Sequence, residues 1–590
     1  MFKQCIMFLL AVTNTEIAAD FQHPSWEIND YKIDSFTVTV ITDNFLSKFS
    51  SDENGFSLIE SPCLSKNFEE IIFSQIEYKK QSNSFEILKS TISGRPIYYH
   101  IDPKGNFFCS THISMLRKAG VAIEENTDVL PEYFCFGYVM SPATFYKKIS
   151  QLLAGSQLTI EFEHDKWKIG HIKNYSPPTP PPEMNDDVGD ISNTTLNLIH
   201  EILRELTPCN DRIAVLLSGG LDSSILFKAC DINYKIDTTY STGYPFEDSD
   251  LNNEKTYAFS AANAFHTNHC YHEVTHDEYL RGVIEGISAA EEPLFHMQSV
   301  LLFLLFKDGI PKHKNIVIMG QGADGIWGLG LHNDIYRSNK IMFKILSKHP
   351  FISLIKIASN VTGRGERFVD FLKSRNVNKD YAISDPGNII WKKISKEKKE
   401  WIFKNFGLSV SDIIKGRSST LKQCETRSIY DIISIYDFFG DISGTQSIWA
   451  KLGESQGKIL YFPFNQYKLL NYAYSLPWEI KLKKPKNILR EVARRCKIPE
   501  FIITRPKLGF ILSKKKLVDL GKILEPLERV AKNASDEKQK HIMHSSDPNK
   551  MIIYWYVLNY SIWRRLCINN EPVEVLLNEL NQNGFPQKSD

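Results

Sequence analysis

The stretch "VLLSGGLDSSILF" runs from Val215 to Phe227. Five apolar residues, Ile213 to Leu217, lead into Ser-Gly-Gly-Leu-Asp-Ser-Ser, and a second apolar run follows. Such a run bounded by turn residues reads as a buried strand, and the segment after it reads as a helix. A strand that ends in Ser218-Gly219-Gly220 and opens a helix at Asp222-Ser223-Ser224 places backbone N–H groups and hydroxyls around an anion. The glycines permit close approach and unusual φ values, and the helix N-terminus adds a favourable dipole. Phosphate is the natural guest. The loop is not a Walker A loop, because G-x-x-x-x-G-K-[ST] is absent.

The rest of the chain is read outward from that turn. At 590 residues it exceeds one core, so two or more domains are expected. The 70 basic and 69 acidic residues nearly cancel, and no basic tract stands out, which argues against a nucleic-acid partner. Ten cysteines lie scattered from Cys5 to Cys567 with no C-x-x-C pair, so reduced thiols in a cytoplasmic protein are expected rather than a disulfide framework. "CIMFLLAV" (Cys5 to Val12) and "VLLFLLF" (Val300 to Phe306) are too short to span a bilayer. The first reads as a buried strand and the second as a buried helix, and no membrane partner is expected.

Residues 1–172 are strand-like and turn-rich. "SFTVTVITDN" (Ser35 to Asn44) alternates in its first half; "RPIYYHIDPKGNFFCS" (Arg95 to Ser110) and "AGSQLTIEFEHDKWKIGHI" (Ala154 to Ile172) read as hairpins. "YSPPTPPPEMNDDVGD" (Tyr175 to Asp190) reads as a stiff linker, which we place at 173–190. Beyond it, over 191–570, helices alternate with the short strands "IAVLL", "TTYST" and "NIVIMG", which predicts a parallel sheet with crossover helices. From about residue 335 the pattern is mostly helical. Residues 571–590 read as a polar tail.

"SGGLDSS" resembles the pyrophosphate loop of the ATP pyrophosphatases, and in detail that of the asparagine synthetase B family, which includes asparagine synthetases, β-lactam synthetases and lasso-peptide cyclases. Companion segments follow in order. "STGYPFEDSDLNNEKTYAFSAANAFHTNHCYHEV" (Ser241 to Val274) resembles the strand and helix that hold adenosine. "EEPLF" (Glu291 to Phe295) resembles the acceptor-side segment, and "GQGADGIWG" (Gly320 to Gly328) the G-E-G-S-D-E-x-x-G turn. "KNILREVARR" (Lys486 to Arg495) and "RPKLGF" (Arg505 to Phe510) resemble the C-terminal signature. "GRPIYY" (Gly94 to Tyr99) and the segment Leu130 to Leu158 resemble the back half of the family's glutaminase domain. The implied architecture is a β-rich, degenerate Ntn-glutaminase-like domain followed by an α/β, adenine nucleotide α-hydrolase-like synthetase domain with a helical extension.

What the resemblance implies for chemistry is specific. Ser218, Gly219, Gly220, Ser223 and Ser224 would cradle the phosphates of ATP, while Leu217, Thr242 and Gly320 would line adenosine. Asp222 and Asp324 match the aspartates that hold Mg²⁺, a cation that takes carboxylate and phosphate oxygens. Each aspartate alone could be an ordinary helix-start or turn residue; together they point to metal. Lys507 matches a lysine that neutralises charge as the amide forms. The run "HTNHCYHEV" (His266 to Val274) is assigned a packing role rather than a metal site.

Two departures bear on function. A class II glutaminase needs an N-terminal cysteine, whereas this chain opens Met1-Phe2-Lys3 with Cys5 further on, and no arginine precedes Arg95 to grip a glutamine carboxylate. Glutaminase activity is therefore not expected. Gln321 stands where asparagine and β-lactam synthetases carry a glutamate that deprotonates or orients the amine, and glutamine cannot act as that base. Lasso-peptide cyclases vary this position and lack a glutaminase, and "IYRSNKIMFKI" (Ile335 to Ile345) has their flavour. The expected activity is an ATP-dependent, AMP- and pyrophosphate-forming amide ligase (a carbon–nitrogen ligase). The leading substrate is a peptide closed into a macrolactam, with a leader protease as a further partner. The alternatives are amidation of aspartate or another small acid with ammonia, and a non-catalytic nucleotide-binding protein.

Overall fold

The computed structural model describes residues 7–14, 26–33, 36–43, 46–61, 72–91, 94–178, 187–206, 211–244, 254–329, 336, 394, 396–410, 412–413, 428–505, 514–532 and 551–582. Twelve strands build the N-terminal part: β1 (Phe8–Thr13), β2 (Trp26–Ile33), β3 (Phe36–Asp43), β4 (Ser47–Asp52), β5 (Gly55–Glu60), β6 (Ser74–Lys79), β7 (Ser84–Lys89), β8 (Tyr98–Ile101), β9 (Phe107–Ser110), β10 (Ser150–Gln151), β11 (Gln157–Glu163) and β12 (Lys166–Lys173). They form two six-stranded sheets, ordered β10-β8-β9-β1-β3-β2 and β12-β11-β7-β6-β5-β4. All of the described pairings within them are antiparallel. The sheets face each other over a common core in which Phe8, Leu10, Val38 and Val40 of one meet Phe56, Ile76, Phe85 and Trp167 of the other.

The composition of β1 follows from its position. It lies centrally between β9 and β3, and its other face, with Leu9 and Ala11, joins a second core containing Val283, Ile287, Leu301 and Trp563. A strand covered on both faces has no use for alternation, and all of its residues are buried. The predicted hairpins form at β8–β9 and β11–β12; in the latter, His164 and Asp165 both take positive φ, as a two-residue hairpin turn requires.

The C-terminal part is built on a five-stranded sheet of β13 (Ile213–Leu216), β14 (Thr238–Gly243), β15 (Asn268–Glu273), β16 (Ile316–Ile318) and β17 (Ile459–Tyr461). Its order is β15-β14-β13-β16-β17, and every pair is parallel. The chain winds outward from β13 in one direction and then, at β16, in the other. The crevice at the carboxyl ends of β13 and β16 is thus a topological switch point, where open α/β sheets bind ligands. The run Val300 to Phe306 is buried helix, spanning Gln298–Leu304 and the π-helical turn after it. No helix among the described residues is long and apolar enough to cross a membrane.

Three sequence expectations need correction. The fifth strand, β17, lies inside the half read as helical; "ILY" is too short to stand out among helices. The stretch 173–190 is not all linker. β12 reaches Lys173, Tyr175 is buried with its hydroxyl 2.6 Å from Asn471 Oδ1, and the helix Val188–Arg204 begins at an Asp187 cap. Residues 571–590 are not simply a polar tail: Val573–Gln582 is a helix that buries Leu576 and Leu580, the i, i+4 pair of an amphipathic face. Linker residues 179–186, Cys5, and residues 335 and 337–345 lie outside the described residues.

The two parts are joined by buried charge. Arg95 reaches from the sandwich to Glu60 of β5 and, at 2.7 Å, to Glu454 of the helix Ser443–Glu454; all three are nearly solvent-free. Beside it, Glu291 accepts from the backbone N–H groups of Ile113 and Ser114 at 2.8 Å each and pairs with Lys451 at 2.8 Å. Burial pushes the Glu454 carboxyl up to about 8. Between the ordinary carboxylate range and about 8, the folded chain holds a proton that the unfolded chain has released, so stability falls as pH rises through that window. Glu454→Gln is expected to flatten this fall in pH-dependent thermal melts. Arg95→Ala leaves buried carboxylates without their cation and is expected to cost about 3–5 kcal/mol in denaturant titration.

Candidate active site

The loop Ser218–Ser224 is folded by its own hydroxyls. Ser223 Oγ donates to the Gly220 carbonyl at 3.1 Å and accepts from the Ser218 N–H at 3.3 Å, and the two serine Oγ atoms lie 3.2 Å apart. Gly220 caps the helix Leu221–Tyr234. Gly219 has φ +68°, and a Cβ there would lie 2.3 Å from the Tyr257 carbonyl oxygen, so only glycine fits. Arg505 braces the loop from outside: its guanidinium donates to the Ser218 carbonyl at 3.2 Å and stacks 3.7 Å over the Tyr257 ring.

A second loop, after β16, approaches the first. A Cβ on Gly320 would sit 3.3 Å from Asp222 Cβ and 3.4 Å from the Ser223 nitrogen. Gly322, at φ +98°, turns the chain into the short helix Ala323–Ile326, whose first turn carries Asp324. Asp222 and Asp324 thus stand at the carboxyl ends of adjacent strands. Between them lies Lys486, whose Nζ bonds Asp222 Oδ2 and Asp324 Oδ1. Lys486 is buried and held in the left-handed region at φ +54°, directly before the helix Asn487–Arg495. A non-glycine residue there costs about 1–3 kcal/mol, a strain that collects at functional sites.

These elements enclose a cavity of about 310 Å³. The predicted residues that line it are Leu217, Ser218, Gly220, Asp222, Ser223, Thr242, Gly320, Gln321 and Asp324. Gly219 and Ser224 do not: the first serves the backbone turn, and the second is wholly buried within its helix. Lys507 lies outside the described residues. The EEPLF segment is turned elsewhere, with Glu291 buried and Glu292 half-buried at the junction of the two parts. Of the histidine run, His269 lies in β15 and bonds Thr239 and Ser241. The sequence does not single out Lys486, because no local feature separates it from the other lysines of its basic stretch.

The residues fit a magnesium ion. Asp222 Oδ1 is buried and has no hydrogen-bond partner among the described residues. No group of three or more metal-ligating side chains occurs among the described residues, so two carboxylates and the phosphates of a nucleotide would make the ligand set that Mg²⁺ commonly takes. A hydroxyl- and N–H-lined helix start, paired carboxylates and a buried ammonium at a switch point define a nucleotide-dependent α/β enzyme.

Comparison with known proteins specifies the class. Residues 198–549 match the family described as asparagine synthase, and residues 69–172 match one described as a glutamine amidotransferase domain. The chain is 23% identical over 475 residues to asparagine synthetase (glutamine-hydrolyzing) 1 of Bacillus subtilis (strain 168), covering 79% of this chain and 69% of that protein. It is 21% identical over 491 residues to a Mycobacterium tuberculosis (strain ATCC 25618 / H37Rv) protein named "Putative asparagine synthetase (glutamine-hydrolyzing)", covering 78% and 71%. The chain belongs to the asparagine synthase family. It is a carbon–nitrogen ligase that uses ATP to form an amide, with a β-rich glutaminase-like domain ahead of its parallel-sheet domain.

Removing the buried ammonium tests its place in this site. Lys486→Met keeps the side-chain volume and is expected to lower amide formation by about a hundredfold or more, the scale of a lost preorganised charge donor. Its melting temperature should fall, because the buried Asp222 loses its cation, so turnover is compared at a temperature where the variant is fully folded. A Lys486→Met enzyme with parental turnover would remove Lys486 from the catalytic machinery.

Proposed function

We propose that this enzyme activates a small carboxylic acid, aspartate or a close relative, as its acyl-adenylate and transfers it to ammonia or another free amine. The observation that carries the proposal is the meeting of Asp222, Asp324 and the Lys486 ammonium at the mouth of the phosphate loop. The nucleotide's phosphates lie on Ser218, Gly220 and Ser223, and its nucleoside lies along Leu217, Thr242 and Gly320, in an adenine nucleotide α-hydrolase-like fold. The carboxylate attacks the α-phosphorus and pyrophosphate leaves; the amine then attacks the acyl carbon and AMP leaves. Asp222 and Asp324 hold Mg²⁺, which when bound neutralises phosphate oxygens. Lys486, pinned by the same two carboxylates, presents a fixed positive charge to the oxyanion as the amide forms. Gln321 lines the cavity and can orient a substrate through its amide, but it cannot take the amine's proton. Lys507, in the segment that follows Arg505, is a second candidate cation.

The nitrogen is taken up as a free amine rather than released from glutamine. Arg95, the first arginine in the sequence, is locked between Glu60 and Glu454 and has no freedom to grip a glutamine carboxylate. A second reading, macrolactam closure of a peptide, is favoured by Gln321, by the missing glutamine-gripping arginine and by the segment Ile335 to Ile345. What supports the small acid over the peptide is the likeness to proteins named asparagine synthetase.

Incubating the protein with ATP, Mg²⁺, ammonium and a panel of small acids tests the proposal. AMP and pyrophosphate are expected, dependent on the acid, with loss of both in Asp222→Asn and Asp324→Asn. ADP and phosphate as products would falsify the adenylation step. Glutamine should not replace ammonium, and Cys5→Ala should change nothing. Glutamate release that Cys5→Ala abolishes would overturn the free-amine assignment.

A further inference from the structure

The side of the cavity away from the phosphate loop carries a short relay. Ser241 of β14 lines the cavity opposite Tyr271 of β15 in the strand register, and Thr239 is paired with His269 two residues before. The imidazole lies between the two hydroxyls: His269 Nδ1 is 2.9 Å from Thr239 Oγ1, and Nε2 is 2.7 Å from Ser241 Oγ. Phe259 packs edge-on against the ring at 5.0 Å. Burial lowers the His269 pKa to about 4, so at neutral pH the ring carries one proton. The position of that proton follows from Thr239. Its hydroxyl donates to the Asn268 carbonyl at 3.2 Å, and a hydroxyl has only one hydrogen. A hydroxyl turned to Nδ1 would reverse the relay; with that hydrogen on the Asn268 carbonyl, Thr239 Oγ1 accepts from Nδ1–H. Nε2 is then bare and accepts the Ser241 hydroxyl hydrogen, which leaves only oxygen lone pairs of Ser241 for the cavity.

We infer that the Thr239–His269–Ser241 relay makes Ser241 an obligate hydrogen-bond acceptor that selects the nucleoside of the bound triphosphate. The inference rests on the nucleotide-binding reading of this cavity. The phosphate loop follows β13, and β14 is its neighbour, so a nucleotide with its phosphates at Ser218 and Ser223 lays its nucleoside beside Ser241. The partner is a donor on that nucleoside: the exocyclic amine of adenine or a ribose hydroxyl. A base with a carbonyl in place of the amine would set lone pair against lone pair. Ser241 is the specificity residue; His269 and Thr239 are positioning residues acting through it.

Calorimetric binding of ATP, ITP, purine riboside triphosphate, 2′-deoxy-ATP and 3′-deoxy-ATP, with Mg²⁺ present, tests this without knowledge of the acyl substrate. One donor-lacking class is expected to bind the parent about fivefold or more weakly than ATP, the scale of one hydrogen bond. Weak ITP and purine riboside triphosphate binding would mark the base amine as the donor, and weak deoxynucleotide binding the ribose. Ser241→Ala should weaken ATP and erase that discrimination. If the amine is the donor, Thr239→Val should relax discrimination against ITP while retaining ATP binding, because Ser241 can then donate. Nitrogen-15 spectra, assigned by comparison with His269→Gln, should show His269 protonated at Nδ1 at neutral pH. An Nε2-protonated ring, or Ser241→Ala with the parent's full discrimination, would overturn the inference alone. A parent that binds no ATP would overturn the nucleotide reading and this inference with it.

Discussion

Lys486 Nζ lies against two carboxylates that belong to different loops, and much of the C-terminal architecture can be understood as what brings those three groups together. Asp222 is carried by the helix that follows β13, Asp324 by the turn that follows β16, and Lys486 by the chain that enters the helix Asn487–Arg495. Only a sheet whose winding reverses between β13 and β16 opens a crevice in which all three can meet. The close approach of Gly320 to Asp222 and the positive φ of Gly219, Gly322 and Lys486 are the local conditions of that meeting. Two close carboxylates, one buried and one partly solvated, would repel if left to themselves. With one ammonium between them they form a compact, acidic and preorganised site.

How much of this the sequence disclosed depends on how local each feature is. The strand–turn–helix from Ile213 to Tyr234 was legible because strand, glycines, hydroxyls and helix start are contiguous, and the Asp324 turn for the same reason. Lys486 was not, because its meaning comes from a partner 264 residues away. Gly219 and Ser224 do not line the cavity: Gly219 makes the turn before the helix cap, and Ser224 faces inward from the first helical turn, an orientation that composition alone does not give. β17 was hidden by its length, with only three residues paired to β16 in a helical setting. The helix Val573–Gln582 was hidden by its polar surface, although Leu576 and Leu580 kept the helical spacing.

The junction between the two parts shows a different balance. Arg95 bridges Glu60 and the proton-bearing Glu454, and Lys451 neutralises Glu291, all with little access to water. Such pairs are weak evidence for net stability, since desolvation offsets much of the attraction, but each partner becomes costly to remove alone. They also fix register: Glu291 caps the helix Ile113–Lys118 with two backbone contacts that tolerate no sliding. Apolar burial supplies the attachment, and the ion pairs specify a single way of making it.

The covering of β1 on both faces has a consequence for inheritance. Its strand gives Phe8 and Leu10 to the interior of the sandwich and Leu9 and Ala11 to the core shared with the synthetase helices. A chain that shed the sandwich would present that helical core to water, and one that shed the helices would strip half of the sheet. Selection on amide synthesis alone would therefore keep the N-terminal domain in place even after every trace of its own chemistry had drifted away.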